Sequence, residues 1–220
     1  MSHSGRFISF EGIEGSGKSS MINLLAGRLR NLGQFPVLTR EPGGSGLGRF
    51  LRPLLLDARH TGLCDKAELY LFLADRAQHM EEEILPALEA GKTVICDRFQ
   101  DSTIAYQFYG RGHVSEAERV REFCNFREPD LTLLLDLPVH VALARARQRN
   151  ERAGTELSEG RFENEKFEFH ERVRRGYLEQ ASLFPQRIKL IDANGSMDDV
   201  FDSCVEQLEK RFDSMAGWND

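Results

Sequence analysis

Short apolar runs alternate with stretches of helical periodicity along the chain. Between successive runs, apolar residues recur every three or four positions, which is typical of amphipathic helices. Strands separated by helices in this way favour a parallel sheet that is covered on both faces. The pattern therefore predicts an α/β fold with a doubly wound, five-stranded parallel sheet. The predicted strands are residues 7–10, 37–39, 93–96, 131–135 and 188–191.

The helical periodicity is broken once, by the polar stretch 150–165 with Gly154 and Gly160. This stretch predicts either a mobile flap over a site or a solvated loop. Ser196 and Asp199 have the spacing of a capping box at the start of the last helix. We expect a single domain over residues 1–214 and a frayed tail over 215–220. The predicted helices are 19–32, 47–56, 66–89 with a break near Pro86, 102–108, 115–126, 139–149, 167–183 and 197–212.

The amino-acid composition limits the classes of protein to which this chain can belong. With 40% hydrophobic and 29% charged residues and no continuous apolar span, the chain is expected to be soluble and without a membrane segment. The N-terminal residues lack the apolar region of a signal peptide, so we expect a cytoplasmic location. A net charge of −6 disfavours long nucleic acid as a partner. The widely spaced cysteines predict ordinary reduced thiols. They are Cys64, Cys96, Cys124 and Cys204.

A phosphate-binding pattern follows the first predicted strand and opens the first predicted helix. Its glycines allow successive backbone N–H groups to face phosphate oxygens at a helix N-terminus. Lys18 is spaced to reach the β- and γ-phosphates, and the Ser19 hydroxyl to ligate Mg²⁺. A glycine-rich turn could match by chance, but the strand and helix on either side favour a nucleotide site. The pattern is Gly12-Ile13-Glu14-Gly15-Ser16-Gly17-Lys18-Ser19.

Polar residues also follow other predicted strands, at the edge where ligands of parallel sheets bind. Asp97 and Arg98 supply a carboxylate for magnesium-bound water and a guanidinium for a phosphate, although a structural ion pair would have the same sequence. Arg40-Glu41-Pro42 comes after the second strand, where an ordinary strand-to-helix turn is the alternative. The Glu41–Pro42 bond could be cis or trans.

Two further segments carry groups suited to a second substrate. Phe72 and Arg76 are four residues apart on one predicted helix, so a ring and a cation could face one nucleobase; taken alone, they could equally be a core residue and a surface charge. A cluster of hydroxyl, aromatic and amide groups lies on the short helix after Arg98. It comprises Ser102, Thr103, Tyr106 and Gln107.

Arginines crowd the predicted flap and its approach. Residues two apart cannot all face one site on a helix, so we expect only one or two to reach a transferring phosphoryl group. The sequence leaves open which ones do so. The candidates are Arg145, Arg147, Arg149, Arg152 and Arg161.

Together these motifs resemble bacterial thymidylate kinase, a P-loop nucleoside monophosphate kinase, over about residues 7–212. The resemblance rests on the phosphate-binding pattern, on Thr39-Arg40-Glu41-Pro42-Gly43-Gly44, on Asp97-Arg98 with Ser102-Thr103-Ile104-Ala105-Tyr106-Gln107, and on Arg161-Phe162-Glu163. It implies phosphorylation of thymidylate (dTMP) to dTDP by MgATP, a homodimer and a flap. A related deoxynucleoside or other monophosphate kinase is the alternative. A nucleotide-binding switch is disfavoured, because N-K-x-D is absent.

The resemblance also implies roles for individual residues. Glu14 would face the acceptor sugar, Phe72 would stack on thymine, and Tyr106 would exclude a 2′-hydroxyl. No basic residue occupies the variable loop positions, so the flap arginines would supply that charge. The implied catalytic residues are Lys18, Arg98, Arg149 and Arg161. The implied ATP-binding residues are Gly12, Ile13, Glu14, Gly15, Ser16, Gly17, Lys18 and Ser19, and the metal-binding ones are Ser19 and Asp97. The implied acceptor-binding residues are Glu14, Arg40, Pro42, Phe72, Arg76, Arg98, Ser102, Thr103, Tyr106 and Gln107.

Overall fold

A five-stranded sheet forms the centre of the computed structural model, which describes residues 5–60, 62–116, 126–155 and 157–212. All its neighbouring strands are parallel, in the order β2-β3-β1-β4-β5, as predicted. Each strand ends one residue later than predicted, because the final residues still pair across the sheet, as Arg40 does with Asp97. The strands are β1 (Phe7–Glu11), β2 (Val37–Arg40), β3 (Val94–Asp97), β4 (Leu131–Asp136) and β5 (Ile188–Asp192).

Helices flank the sheet, and four of them match the prediction to within one residue. The Ser196 hydroxyl accepts from the Asp199 N–H and the Asp199 carboxylate accepts from the Ser196 N–H, so the predicted capping box is confirmed. The helices are α1 (Lys18–Asn31), α2 (Gly46–Leu56), α3 (Asp65–His79), α4 (Leu85–Glu89), α5 (Gln100–Thr103), α6 (Val139–Ala153), α7 (Phe167–Leu183) and α8 (Met197–Arg211). The matching ones are α1, α2, α7 and α8.

Two predicted helices contain π-helical turns. The long helix predicted over 66–89 widens at Met80–Ile84, where the Leu85 N–H bonds to the Met80 carbonyl five residues back. Pro86 follows immediately and has no N–H to donate, so the regular ladder cannot run through it. The helix predicted over 102–108 is α-helical only to Thr103 and continues as a π-helical segment, Ile104–Gly110.

The flap region is more helical than predicted. α6 continues four residues beyond the predicted end and stops at Gly154, whose φ of 65° is readily adopted by glycine. The helix predicted over 115–126 falls mostly outside the described residues; Val114–Glu116 form a 3₁₀ turn. The predicted tail, 215–220, also lies outside them.

The apolar residues of the central strand alternate between the two faces of the sheet. Ile8 and Phe10 belong to one hydrophobic cluster, and Phe7 belongs to another with Met80 and Ile84. Both faces are thus buried, and polar side chains gather at the carboxyl ends of the strands. In the described ranges, no helix combines the length and apolar content that a bilayer crossing requires.

Candidate active site

The phosphate-binding loop joins β1 to α1 and curls around the Lys18 ammonium. Gly12, Gly15 and Gly17 all have positive φ, and a Cβ at Gly15 would lie 2.0 Å from the Ala142 carbonyl oxygen. Lys18 Nζ donates to the carbonyls of Gly12 at 2.9 Å and Ile13 at 3.0 Å. Burial, followed by the charge of Arg98, lowers the pKa of Lys18 to about 8. A buried ammonium held in this ring is suited to an anionic ligand.

A cavity of about 390 Å³ opens beside this loop. α6 contributes Arg145 and Arg149 to its wall, and the Arg149 side chain is 55% exposed there. Residues of the segment after β5 form another part of the cavity wall, and the sequence did not predict them. The only local indication was a glycine that follows a strand end and precedes a helix cap. The residues of that segment are Ala193, Gly195, Ser196 and Met197.

Two oxygen-bearing side chains meet at the mouth of the loop. The Ser19 hydroxyl donates to Asp97 Oδ2 at 3.0 Å, which joins the first residues of α1 to the end of β3. Hydroxyl and carboxylate oxygens are the donors that Mg²⁺ prefers. The predicted pair is therefore brought together and its chemistry fits that ion.

A second, smaller cavity of about 40 Å³ lies on the other side of the loop. Six separate segments of the sequence converge on it. Of the predicted residues it is lined by Glu14, Phe72, Arg76, Arg98, Ser102, Thr103, Tyr106 and Gln107. Its other lining residues, Glu41, Leu56, Phe99 and Phe162, were not predicted to line a pocket.

Arg98 lines the smaller cavity and is bonded to the phosphate-binding loop. It is the only described non-glycine residue with a positive φ, 71°. Its Nη1 donates to the Gly12 carbonyl and the Tyr177 hydroxyl, each at 3.0 Å, while Nη2 donates to Glu14 Oε1 at 2.9 Å. The guanidinium also lies over the Tyr106 ring, 4.9 Å from its centroid. These contacts fix a cation between the loop and the small cavity.

Glu14 is the anionic partner of this cation. The Tyr106 hydroxyl donates to its carboxylate at 2.6 Å, and His170 Nδ1 lies 3.8 Å away. Burial alone would raise the pKa of Glu14, but the charges of Arg98 and Lys18 outweigh it and hold the pKa below its usual value. The carboxylate is therefore ionised beside the cavity.

Two polar atoms in the small cavity have no partner among the described residues. They are Arg76 Nη1 and Thr103 Oγ1, on side chains that are 1% and 2% exposed. The Arg76 guanidinium is held in place by Glu41, because Arg76 Nε donates to Glu41 Oε2 at 2.8 Å. Unsatisfied buried polar atoms are costly, so this pair indicates a ligand that presents a hydrogen-bonding edge.

Of the predicted catalytic and acceptor-binding residues, three lie outside both cavities. Arg40 is exposed and lines a neighbouring cleft with Ser19 and Asp97. Pro42 is buried after a cis Glu41–Pro42 bond. Arg161 does not approach the phosphate-binding loop; it donates instead to the Leu55 carbonyl and to Glu68.

Glu11, at the end of β1, organises the residues behind Arg98. Its Oε1 accepts from the Phe99 N–H at 2.7 Å, and its Oε2 accepts from the hydroxyls of Ser102 at 2.6 Å and Tyr177 at 3.0 Å. Burial, and secondarily the nearby Asp101 carboxylate, raise the pKa of Glu11 to about 7. Glu11 directly follows the first predicted strand, but nothing local in the sequence indicates its partners in this network.

We expect Glu11→Gln to flatten the pH dependence of stability. The folded-state pKa lies above the unfolded value of 4.5, so the stabilisation is complete below that value and is lost as pH rises through about 7. The loss is about 3 kcal/mol in the parent, because a tenfold change in an acid dissociation constant corresponds to about 1.4 kcal/mol. Urea denaturation from about pH 4 to about pH 8 measures it. Parallel curves for the parent and the variant would contradict the assignment.

Comparison with known proteins agrees with this geometry. The thymidylate kinase family model matches residues 10–204. A thymidylate kinase of Desulfovibrio desulfuricans is 57% identical over 205 residues, covering 92% of this chain and 94% of that protein. The one from Geobacter sp. is 46% identical, covering 96% and 94%. The crystal structure of thymidylate kinase from Ehrlichia chaffeensis has a TM-score of 0.72 at 33% identity, covering 94% of this chain and 99% of that one. The resemblance seen in the motifs is confirmed, and the chain belongs to the thymidylate kinase family.

Proposed function

We propose that this chain transfers the γ-phosphoryl group of MgATP to the 5′-phosphate of dTMP, giving ADP and dTDP for dTTP synthesis. Family membership supports the reaction. The observation that carries the proposal is that two cavities share the phosphate-binding loop: Gly15 to Ser19 line the larger one, and Glu14, paired with Arg98, lines the smaller one. Two nucleotides bound there would have their phosphates directed toward each other.

The larger cavity suits the donor, ATP. Backbone N–H groups of the loop and the Lys18 ammonium would bind the β- and γ-phosphates, in place of the carbonyls that now accept from Lys18. The nucleoside would extend along α6 toward the Ala193–Met197 segment. Ser19 and Asp97 would hold the magnesium ion, which when bound neutralises part of the phosphate charge.

The smaller cavity suits the acceptor. Phe72 would stack on the thymine ring, while Arg76 Nη1 and Thr103 Oγ1 would bond its polar edge. Tyr106 would occupy the space of a 2′-hydroxyl, and the Glu14 carboxylate beside it would face the sugar. The remaining acceptor-side residues are Ser102 and Gln107 in the cavity wall and Arg40 and Pro42 at its approach.

Catalysis in this arrangement is positioning and charge stabilisation. The acceptor is already an anion, so no strong base is needed, and Arg98 lies where it would bind that phosphate. Lys18 and a flap arginine would offset the repulsion between the two phosphate chains. Two of the flap candidates, Arg145 and Arg149, line the donor cavity. Arg145 donates to the Ala193 carbonyl at 3.1 Å, whereas the Arg149 side chain is 55% exposed, so Arg149 would meet the phosphates.

The proposal also covers the domain organisation, the oligomeric state and the cellular location of the enzyme. We propose one kinase domain over residues 1–214 with its flap at 150–165, acting as a homodimer. Exposed apolar side chains on α2 and α3 support a self-association face: Leu47 at 42%, Phe50 at 82% and Tyr70 at 65%. The free thiols of Cys64, Cys96 and Cys204 support a cytoplasmic location; Cys124 lies outside the described residues.

A nucleotide panel tests the substrate. With MgATP, the purified chain is expected to turn over dTMP at least about 10²-fold more efficiently than cytidylate, because a cytosine edge would leave Arg76 or Thr103 without a matching partner. Formation of ADP and the new diphosphate is measured by a coupled assay and by chromatography. Equal or better use of another monophosphate or of a nucleoside would favour the related-kinase alternative, and ATP binding without any phosphorylated product would favour a nucleotide switch.

A further inference from the structure

One buried carboxylate on α3 joins the acceptor cavity to the flap. Glu68 is 1% exposed and accepts from Gln107 Nε2 at 3.0 Å, from Arg111 Nη2 at 2.8 Å and from Arg161 Nη2 at 2.5 Å. Burial alone would raise the pKa of Glu68, but the hydrogen bonds and charge of Arg111 outweigh it and lower the pKa. Glu68 is thus an ionised group that holds three side chains at once.

Arg161 is fully engaged by this part of the molecule. Besides Glu68, its Nη1 donates to the Leu55 carbonyl at 2.9 Å, and its backbone N–H donates to the Leu56 carbonyl at 3.0 Å. Leu55 and Leu56 are the last residues of α2, where the free carbonyls and the helix dipole favour a cation. The Arg161 side chain is only 9% exposed. Its charge is therefore directed at α2 and α3, away from the phosphate-binding loop.

The two residues after Arg161 are each linked to one of the substrate cavities, Phe162 directly and Glu163 through its partner. Phe162 lines the acceptor cavity, with its ring centroid 6.2 Å from that of Phe72. Glu163 accepts from Arg149 Nη2 at 2.7 Å, and Arg149 lines the donor cavity. Because Arg161 is anchored, the two residues that follow it are held in place as well. Phe162 is a wall of one cavity, and Glu163 is the partner of Arg149, which lines the other.

We propose that Glu68 and Arg161 form a clamp that positions Phe162 as a second aromatic wall of the acceptor cavity, beside Phe72. The inference rests on the proposed function and assigns Arg161 a positioning role. A base between two rings needs about 7 Å between their centroids, from two contacts of about 3.5 Å. The observed rings are 6.2 Å apart and tilted by 46°, so the Phe162 ring must turn and move back slightly to admit a base, while its backbone stays anchored beside Arg161.

Four variants separate positioning from direct phosphate contact. Arg161→Met removes the clamp from the flap side and Glu68→Gln from the α3 side; Arg149→Met removes the proposed phosphate contact. Glu159→Gln is the matched control, because it removes only the half-exposed ion pair of the same flap with Arg52. For each, the dissociation constant of dTMP without ATP is measured by calorimetry, and KM and kcat by the coupled assay.

The clamp predicts a rise of about tenfold in the dTMP dissociation constant and KM for Arg161→Met and Glu68→Gln, with kcat within about threefold of the parent. The double variant should bind dTMP no worse than either single one, because both remove the same clamp. Arg149→Met should instead lower kcat about 10²-fold and leave dTMP binding unchanged. Glu159→Gln should match the parent.

Two results would overturn the proposal. A kcat loss of about 10²-fold for Arg161→Met with unchanged dTMP binding would make Arg161 a phosphate ligand. Unchanged binding and turnover in that variant would remove any role for the clamp. Arg161→Met decides both points even if Glu68→Gln fails to fold, because Arg161 lies on the flap. Turnover of dTMP by the parent tests the proposed function separately, and the dTMP binding measurement needs no turnover.

Discussion

Replacing Lys18 with methionine should lower kcat for dTMP phosphorylation by about 10³-fold, the upper end of what loss of one preorganised charge contact costs. Methionine fills a similar volume, but it has no charge to place against the γ-phosphoryl oxygens. The effect should appear mainly in kcat, since charge builds up on those oxygens in the transition state. Steady-state kinetics with saturating ATP and dTMP measure it.

Lys210→Met is a suitable control for this experiment. Lys210 lies on α8, its side chain is 61% exposed, and it pairs with Glu206 one turn away. Removing that exposed pair should leave kcat and the melting temperature close to those of the parent. A folded Lys18→Met variant that retains kcat within about tenfold of the parent would contradict the proposed donor site.

Much of the fold follows from local patterns in the sequence. Five apolar runs and the helical spacing between them were enough to predict the sheet and α1, α2, α7 and α8. The π-helical turns were not predictable in this way, because their extra residue per turn hardly changes the apolar spacing over five to seven residues. The segment Ile104–Gly110 nevertheless matters for the site, since it presents Tyr106 and Gln107 to the acceptor cavity.

Whether the sequence could locate a site residue depended on how far along the chain the partners of that residue lie. The phosphate-binding loop is contiguous, so its motif located Lys18 and Ser19. Glu68 gave no comparable signal, because one of its partners, Arg161, is 93 residues away and nothing local indicates the pair. Glu11 likewise meets Tyr177 across 166 residues. Such long-range polar networks depend on the packed fold, and only a structure identifies them.

Arg98 is the residue whose geometry depends most on its surroundings. A left-handed φ of 71° is unfavourable for a side chain with a Cβ, and the neighbouring backbone is fixed by Glu11 through the Phe99 N–H. This backbone directs the guanidinium back over the loop, where it pairs with Glu14. An incoming phosphate would meet a cation that is already oriented, with little reorganisation left to make.

Arg98→Met should therefore lower kcat/KM for dTMP by about 10³-fold, within the range expected when one partner of a largely desolvated charge pair is removed. Arg98→Lys should recover only part of the loss, since an ammonium keeps the charge but not the planar arrangement of donors. The KM for ATP should change by less than about threefold, because the donor phosphates bind to the loop. Kinetics at varied dTMP and at varied ATP separate the two effects.

A second substitution distinguishes a lost substrate contact from a damaged protein. Without Arg98, the partly buried Glu14 carboxylate has lost its main counter-charge, and Arg98→Met should also destabilise the fold. Glu14→Gln added to that variant removes the uncompensated charge, so the melting temperature should recover while kcat/KM does not. Recovery of activity together with stability would mean that Arg98 serves only to neutralise Glu14, and its assignment as the ligand of the acceptor phosphate would then be wrong.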